Sequence, residues 1–303
     1  MTIEPARMRR SFALWPVLIA ALSLTGCAAM EEIAPPPTPA ALIDTGDQAA
    51  RRGDFEHALT YYLRAVAAEE TPEAWFRVGA AADELGNTER ALFAYLQVID
   101  LDATHAGAQE GAGLAYMALN DSEAAEEHLR QAVALEPRSW RSQNALGILA
   151  DRAENFDEAQ QHYDAALKIN PNSPMLVNNL GYSHYLAGDL DQAARDFYRA
   201  TELSPDYSAA WVNLSRVYAD QSWYDDAITM LERVSDKAKA YTDVGTMAYE
   251  NGDLGESEKL LTEAIRISPT YLPAANRTLD LVRSKLVDPQ PATQELDRLE
   301  AAR

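Results

Sequence analysis

The chain has 303 residues, 24% of them charged, and a formal net charge of −21. A surface this acidic disfavours nucleic acid as a partner, because binding to phosphates requires clustered Lys and Arg, and it disfavours electrostatic adhesion to anionic lipid as well. Cys27 is the only cysteine, so a disulfide framework and a thiolate metal site within the chain are excluded.

Residues 1–26 have the pattern of a signal peptide. Three arginines stand among the first ten residues, and residues 12–23 form an apolar stretch that is short for a membrane span. The stretch ends in Leu24-Thr25-Gly26-Cys27, which resembles a bacterial lipobox. The resemblance implies cleavage before Cys27 and acylation of that cysteine.

The residues after Cys27 predict where the anchor would place the protein. Ala28 stands where an aspartate would resemble an inner-membrane retention signal. We therefore expect lipid anchoring in the outer membrane, facing the periplasm. Residues 27–38 include the run Pro35-Pro36-Pro37, which favours extended polyproline II structure. This segment is predicted to be a Pro-rich tether.

From residue 39 onward a small residue recurs about every 34 positions. The positions are Gly46, Gly79, Gly113, Gly147, Gly181, Ser215 and Gly245. Twelve residues after each comes Ala or Ser, and sixteen residues after each comes a large apolar or aromatic side chain. The period predicts stacked helical hairpins, each with helices A and B joined by a polar turn. We expect the small residues to mark close contact between A and B, and the large ones to fill the gap between successive hairpins.

One unit carries the family resemblance clearly. The run 144–147 (Asn-Ala-Leu-Gly), with Ala159, Tyr163, Ala166 and Pro171, resembles the tetratricopeptide repeat. The resemblance implies an all-α, right-handed α-solenoid of about seven helix-turn-helix units over residues 39–270. It also implies that the inner, concave surface is lined by the A helices and binds partners.

The sixth unit and the C-terminal region depart from the repeat. The sixth unit has Ser215 in place of glycine and is four residues shorter than its neighbours. Since four residues make about one helical turn, its helix B is predicted to end early and to tilt the seventh unit. Residues 271–286 are predicted to be a capping helix with one apolar face, and residues 287–303 a C-terminal tail.

The sequence predicts no catalytic residue, no cofactor and no metal. His128 and His162 occupy the same repeat position in neighbouring units, but a zinc site needs further ligands, and none is evident. A glycine-rich phosphate loop, a GxSxG turn and an HExxH motif are absent from the sequence.

Projecting the repeat onto the chain predicts a partner-binding groove in units four to six. Its candidate residues are Asn144, Ile148, Asn178, Tyr182, Tyr185 and Arg216. Asn and Tyr at such positions can hydrogen-bond a peptide backbone, and Arg216 could receive a carboxylate. The related Asn179 and Asn213 are better explained as helix-to-helix hydrogen bonds. For Tyr182 and Tyr185 both interpretations stay open.

These features together predict a non-catalytic, membrane-anchored scaffold whose partners are other cell-envelope proteins. The chain resembles repeat lipoproteins of tight-adherence (Flp) and type IV pilus assembly, which implies a secretin or another pilus assembly component as partner. The alternative is the group of similar lipoproteins that dock peptidoglycan hydrolases and synthases. The sequence leaves both open.

The lipobox generates a first prediction. Cys27→Ala removes the thiol that would be acylated, so it is expected to abolish incorporation of radioactive fatty acid. The precursor should also stay uncleaved by the lipoprotein signal peptidase, as seen by gel mobility. Undiminished labelling of the variant would contradict the assignment.

Overall fold

Fifteen α-helices make up the regular structure of residues 36–287, which are the residues that the computed structural model describes. The predicted signal peptide, Cys27, the predicted tether up to residue 35 and residues 288–303 of the predicted tail lie outside the described residues, whereas Val287, predicted as the first tail residue, is helical. The helices are α1 Pro39–Ala50, α2 Phe55–Ala68, α3 Pro72–Glu84, α4 Thr88–Leu101, α5 Ala106–Ala118, α6 Ser122–Leu135, α7 Trp140–Arg152, α8 Phe156–Ile169, α9 Pro174–Leu186, α10 Leu190–Leu203, α11 Ser208–Asp220, α12 Tyr224–Leu231, α13 Lys237–Glu250, α14 Leu254–Ile267 and α15 Pro273–Val287.

The first fourteen helices pair into seven hairpins that stack in chain order. The odd-numbered helices α1 to α13 are the A helices, and the even-numbered ones are the B helices. Consecutive A helices contact one another, whereas within residues 36–287 no two B helices do. The A helices are therefore the more closely spaced layer and line the inner side of the stack. The predicted all-α solenoid is confirmed.

Each A–B turn begins its B helix in the same way. A left-handed residue occupies the same place in all seven turns, and a glycine fills it in four of them. Asn120, Glu154 and Ser222 take this conformation in the other three, with φ of 62°, 59° and 63°. Asp or Asn follows directly in six turns. In five of these its side chain accepts a backbone N–H of the first helical turn, which satisfies donors that the helix itself leaves unpaired.

The small residue of each unit lies against the large residue sixteen positions later. A Cβ added at Gly147 would be 2.7 Å from Tyr163 Cε1, and one at Gly46 would be 2.5 Å from Tyr62 Cε1. The prediction of close A–B contact is thus confirmed. The large residue packs within its own hairpin, and some also reach the next one, since a Cβ at Gly111 would be 2.5 Å from Tyr95 Cε2.

The sixth hairpin has the short B helix that its sequence predicts. Helix α12 has 8 residues, whereas α10 and α14 have 14 each. Helix α12 ends early, and α11 packs more extensively on α13 than the preceding A helices pack on one another. Ser215 is fully buried in place of the glycine, and its hydroxyl donates to the Val212 carbonyl at 2.7 Å.

Helix α15 ends the described part of the stack by packing on α13 and α14. Its buried side chains are Ala275, Leu279 and Val282. Leu281 on the remaining surface is 52% exposed. One face of α15 therefore covers the last hairpin, as expected for a capping helix.

The contact between Gly147 and Tyr163 generates a stability prediction. In Gly147→Leu a branched side chain must displace a buried ring, so we expect a loss of about 1–3 kcal/mol in the free energy of unfolding. The measurement is urea denaturation followed by circular dichroism.

The matched control is Gly255→Leu, also within a helix. Apart from its own helix and chain neighbours, a Cβ at Gly255 meets only Asp253 Oδ1, at 4.0 Å. Because Leu has a higher helix propensity than Gly, the free energy of unfolding of this control should equal that of wild type or exceed it by up to about 1 kcal/mol. Equal effects of the two substitutions would show that the small residue at 147 is not required by a helix contact.

Candidate partner-binding surface

The six candidate groove residues lie on three consecutive A helices. Asn144 and Ile148 are on α7, Asn178, Tyr182 and Tyr185 on α9, and Arg216 on α11. Helix α9 contacts both α7 and α11, so the structure brings all six onto one stretch of the inner layer. We call this stretch of α7, α9 and α11 the inner face.

Asparagine pairs connect the A helices of the inner face. Asn179 Nδ2 donates to Asn144 Oδ1 at 2.8 Å, and Asn213 Nδ2 donates to Asn178 Oδ1 at 2.9 Å. The helix-to-helix role expected for Asn179 and Asn213 is confirmed. These bonds also engage two of the candidate residues, and Asn178 is only 6% exposed. Asn144 and Asn178 thus hold neighbouring A helices together.

Two tyrosines on α9 form the most prominent aromatic feature of the inner face. The rings of Tyr182 and Tyr185 are stacked, with centroids 6.1 Å apart. The Tyr185 hydroxyl donates to Asp220 Oδ2 at 2.7 Å. Burial, followed by this hydrogen bond, raises the pKa of Tyr185 to about 12. Tyr185 is thereby held in place, while Tyr182 is 45% exposed and presents its ring to solvent.

Arg216 is already paired within the chain. Its Nη1 donates to Glu250 Oε2 on α13 in a partly exposed ion pair. A partner carboxylate would have to compete with Glu250, so the groove offers less cationic character than the sequence suggests. Beyond Arg216 the surface continues into a depression of about 390 Å³, lined among others by Val212, Thr246 and Arg277.

An apolar row extends the candidate site toward the N-terminus. The residue directly after the repeat's small residue is Ala80, Leu114, Ile148 and Tyr182 in four consecutive units. The first three are partly buried and Tyr182 is exposed. The predicted groove was limited to units four to six and therefore did not include Ala80 and Leu114. Their shared repeat position is the signal that could have found them.

The paired histidines bind glutamines of their own units. His128 Nδ1 lies 2.7 Å from Gln109 Oε1, and His162 Nδ1 lies 2.8 Å from Gln143 Oε1. Burial lowers the pKa of both imidazoles. Within residues 36–287 no three His, Cys, Asp or Glu side chains converge as a metal site requires. In the same range no helix has the length and apolar character needed to cross a bilayer.

Family models place the chain among known repeats. Models described as tetratricopeptide repeat match residues 43–106, 111–174 and 184–246, which together exceed half of the chain. The chain belongs to the tetratricopeptide repeat family. It is therefore a protein-interaction scaffold, with a fold typical of non-catalytic proteins and with other proteins as partners. No curated protein matches the sequence.

Solved structures share the fold at low sequence identity. A tetratricopeptide repeat protein from Parabacteroides merdae is 17% identical with a TM-score of 0.60, covering 81% of this chain and 98% of that one. PilF of Pseudomonas aeruginosa is 18% identical with a TM-score of 0.53, covering 70% and 98%. MamA of Desulfovibrio magneticus is 24% identical with a TM-score of 0.52, covering 56% and 96%. These likenesses establish the fold alone.

The buried histidines generate a prediction about pH. Because the folded state depresses the pKa of His128 and His162, the unfolded chain takes up protons first as pH falls below about 6.5. Their stabilising contribution is therefore present above that pH and lost as pH falls through the folded-state values. The thermal midpoint should drop between about pH 7 and pH 5.5.

Glutamine at both positions keeps a polar side chain but removes the titration. The double variant His128→Gln, His162→Gln is expected to show a smaller drop in thermal midpoint over the same pH range, measured by circular dichroism. An unchanged pH dependence would contradict the role assigned to burial of these rings.

Proposed function

We propose that the protein is a lipid-anchored periplasmic scaffold that docks a component of a Flp or type IV pilus machine, the secretin or another assembly protein, on its inner face. The observation that supports this docking surface is the exposed Tyr182 ring, which lies in the apolar row of a chain with a net charge of −21. The pilus system and the anchor are supported by the resemblance of the sequence to pilus-assembly lipoproteins and by residues 24–27.

The geometry around Tyr182 favours binding without large rearrangement. Tyr185 stacks on Tyr182 and is itself tied to Asp220. The asparagine pairs hold α7, α9 and α11 together by hydrogen bonds between neighbouring helices. A preformed surface loses little conformational entropy when a partner binds, and aromatic side chains frequently dominate the energetics of such interfaces.

The shielded acidic residues support a scaffold rather than an enzyme. Asp151 accepts hydrogen bonds from Tyr163 Oη at 2.8 Å and from Ser183 Oγ at 2.7 Å. Asp196 lies 2.8 Å from His184 Nδ1. Burial raises the pKa of both carboxyl groups, while these partners lower it. Each of these contacts joins neighbouring helices, which is a structural role.

The anchor would explain how an acidic protein stays at a membrane. With a net charge of −21, attraction to anionic headgroups is unavailable. Acyl chains on Cys27 would contribute about 0.8 kcal/mol for each buried methylene, and stable attachment takes more than one chain. The Pro-rich segment 27–38 would then hold the solenoid away from the bilayer.

Deletion of the gene tests this function. The deletion strain should contain fewer detergent-resistant secretin multimers in the outer membrane and fewer pili, and the wild-type protein should restore both. Tyr182→Ala should restore them poorly. The control Tyr198→Ala removes a tyrosine that is 51% exposed on the outer helix α10 and should restore both fully.

Normal multimers and normal piliation in the deletion strain would refute the pilus assignment. The alternative, docking of peptidoglycan hydrolases or synthases, would then be tested by measuring the recovery of those enzymes with the membrane fraction.

A further inference from the structure

The sixth hairpin departs from the repeat at its A–B turn. In six of the seven turns the residue after the left-handed position is Asp or Asn, whereas the sixth turn has Trp223 there. Trp223 makes no capping hydrogen bond to α12, although Asp or Asn at this place would stabilise the start of the helix. The Trp223 side chain is instead 54% exposed. A residue that breaks a local rule of its own repeat is a candidate for a functional role.

Trp223 belongs to a cluster of three aromatic rings on the outer layer. Its ring centroid lies 5.8 Å from that of Tyr218 on α11, with the planes inclined at 39°. Burial raises the pKa of Tyr218, and the nearby Asp226 on α12 and Tyr198 on α10 raise it further. Tyr198 is itself 51% exposed. We call Tyr198, Tyr218 and Trp223 the aromatic cluster, which joins α10, α11 and α12.

Asp226 adds an unpaired negative charge beside the aromatic cluster. Its side chain is exposed, and it forms no ion pair with any side chain of residues 36–287. The preceding Asp225 lies on the other side of α12, where it lines a cavity of about 650 Å³ together with Tyr241 and Lys259. Consecutive residues of a helix do not share a face. Asp226 is therefore the one of this pair that borders the aromatic cluster.

Cations of the chain itself cover other aromatic rings. Five Lys or Arg side chains of the described residues lie over a ring, at 4.5 to 5.9 Å from its centroid. The rings are those of Tyr61, Trp140, Trp211, Tyr241 and Tyr249. Within the described part of the chain no Lys or Arg is placed over a ring of the aromatic cluster. Its ring faces and the Asp226 carboxylate thus remain available to a cation from another molecule.

The chemistry of the aromatic cluster matches an arginine side chain. The face of an aromatic ring attracts a cation, most strongly when the ring is Trp. A guanidinium group is planar, so it can stack on such a ring and donate hydrogen bonds to a carboxylate at the same time. A site for a free small molecule normally encloses most of its ligand, whereas two rings of this cluster are half exposed. The open geometry fits the tip of a side chain whose parent protein covers the rest.

We propose that the aromatic cluster and Asp226 bind an arginine side chain of a partner protein. The guanidinium group stacks on Trp223 and donates to the Asp226 carboxylate. The site lies on the outer layer, so this inference goes beyond the proposed function and does not depend on the inner face. Since a surface ion pair contributes to binding, the affinity falls as salt is added.

Two short, end-blocked peptides of Gly and Ser test the proposal on the full chain. The first carries one central arginine, and the second carries citrulline, which has nearly the same shape without the charge. The protein is labelled with fluorotryptophan, and fluorine NMR follows the resonance of Trp223, which is identified by its loss in Trp223→Asn. The shift of this resonance during titration gives the dissociation constant.

The arginine peptide is expected to bind at least about fivefold more tightly than the citrulline peptide. Its binding should be weaker at about 500 mM than at about 50 mM NaCl. Equal binding of both peptides, or a Trp223 resonance that neither peptide shifts, would overturn the proposal. Choline chloride is titrated in parallel. Tighter binding of choline than of the arginine peptide would assign the site to a free quaternary ammonium ion and would refute the partner side chain.

Matched variants locate the site. Asp226→Asn should raise the dissociation constant of the arginine peptide by about threefold or more, whereas Asp225→Asn, with the same change of charge on the same helix turn, should leave it unchanged. Tyr182→Ala on the inner face should also leave it unchanged. Equal weakening by Asp226→Asn and Asp225→Asn would show a general effect of charge and would contradict a site at the aromatic cluster.

The capping position separates binding from stability. In Trp223→Asn the ring is lost, but Asn can cap α12 as Asn87 caps α4. Saturation transfer from the protein to the arginine side chain of the peptide should therefore disappear, while the thermal midpoint stays unchanged or rises. Retained saturation transfer together with a lower midpoint would show that Trp223 serves the fold and not the binding of arginine.

Discussion

The rest of the fold depends on one close contact, which recurs in each hairpin. It joins a small residue on the A helix to a large side chain on the following B helix. At Gly147 the distance to the Tyr163 ring leaves no room even for a methyl group. The contact fixes the sixteen-residue spacing and hence the length of the hairpin. A single hairpin cannot bury its apolar face alone, so the hairpins are stable only when they stack on one another.

The aromatic ring at this contact also creates a need for hydrogen bonds. In several units the ring belongs to a buried tyrosine whose hydroxyl needs an acceptor. Asp83 accepts from Tyr95 at 2.6 Å, and Asp151 accepts from Tyr163 at 2.8 Å. Both acceptors lie near the ends of their A helices, and their carboxylates are hydrogen-bonded within the hairpin. Two A helices carry almost no charge beside them, since α9 has no Asp, Glu, Lys or Arg and α5 has only Glu110.

The candidate site could be predicted only in part. The repeat register placed Asn144, Tyr182 and Arg216 on neighbouring inner helices, because a fixed period maps each position to a fixed layer. It could not indicate that Arg216 pairs with Glu250, since 34 residues separate the two and the pairing depends on the packing of α11 on α13. The apolar row that includes Leu114 was missed because only three units were projected.

The sequence by itself determined the all-α repeat architecture, the register of the hairpins and the short sixth helix B, because each follows from a local spacing that is repeated many times. Only the tertiary structure decided which polar groups hydrogen-bond to one another and which side chains remain exposed to solvent. Hydrogen bonds such as Asn178–Asn213 and Tyr185–Asp220 span 35 residues each. They depend on how adjacent A helices align in space, so the exposed ring of Tyr182 could be distinguished from the tethered ring of Tyr185 only in the folded chain.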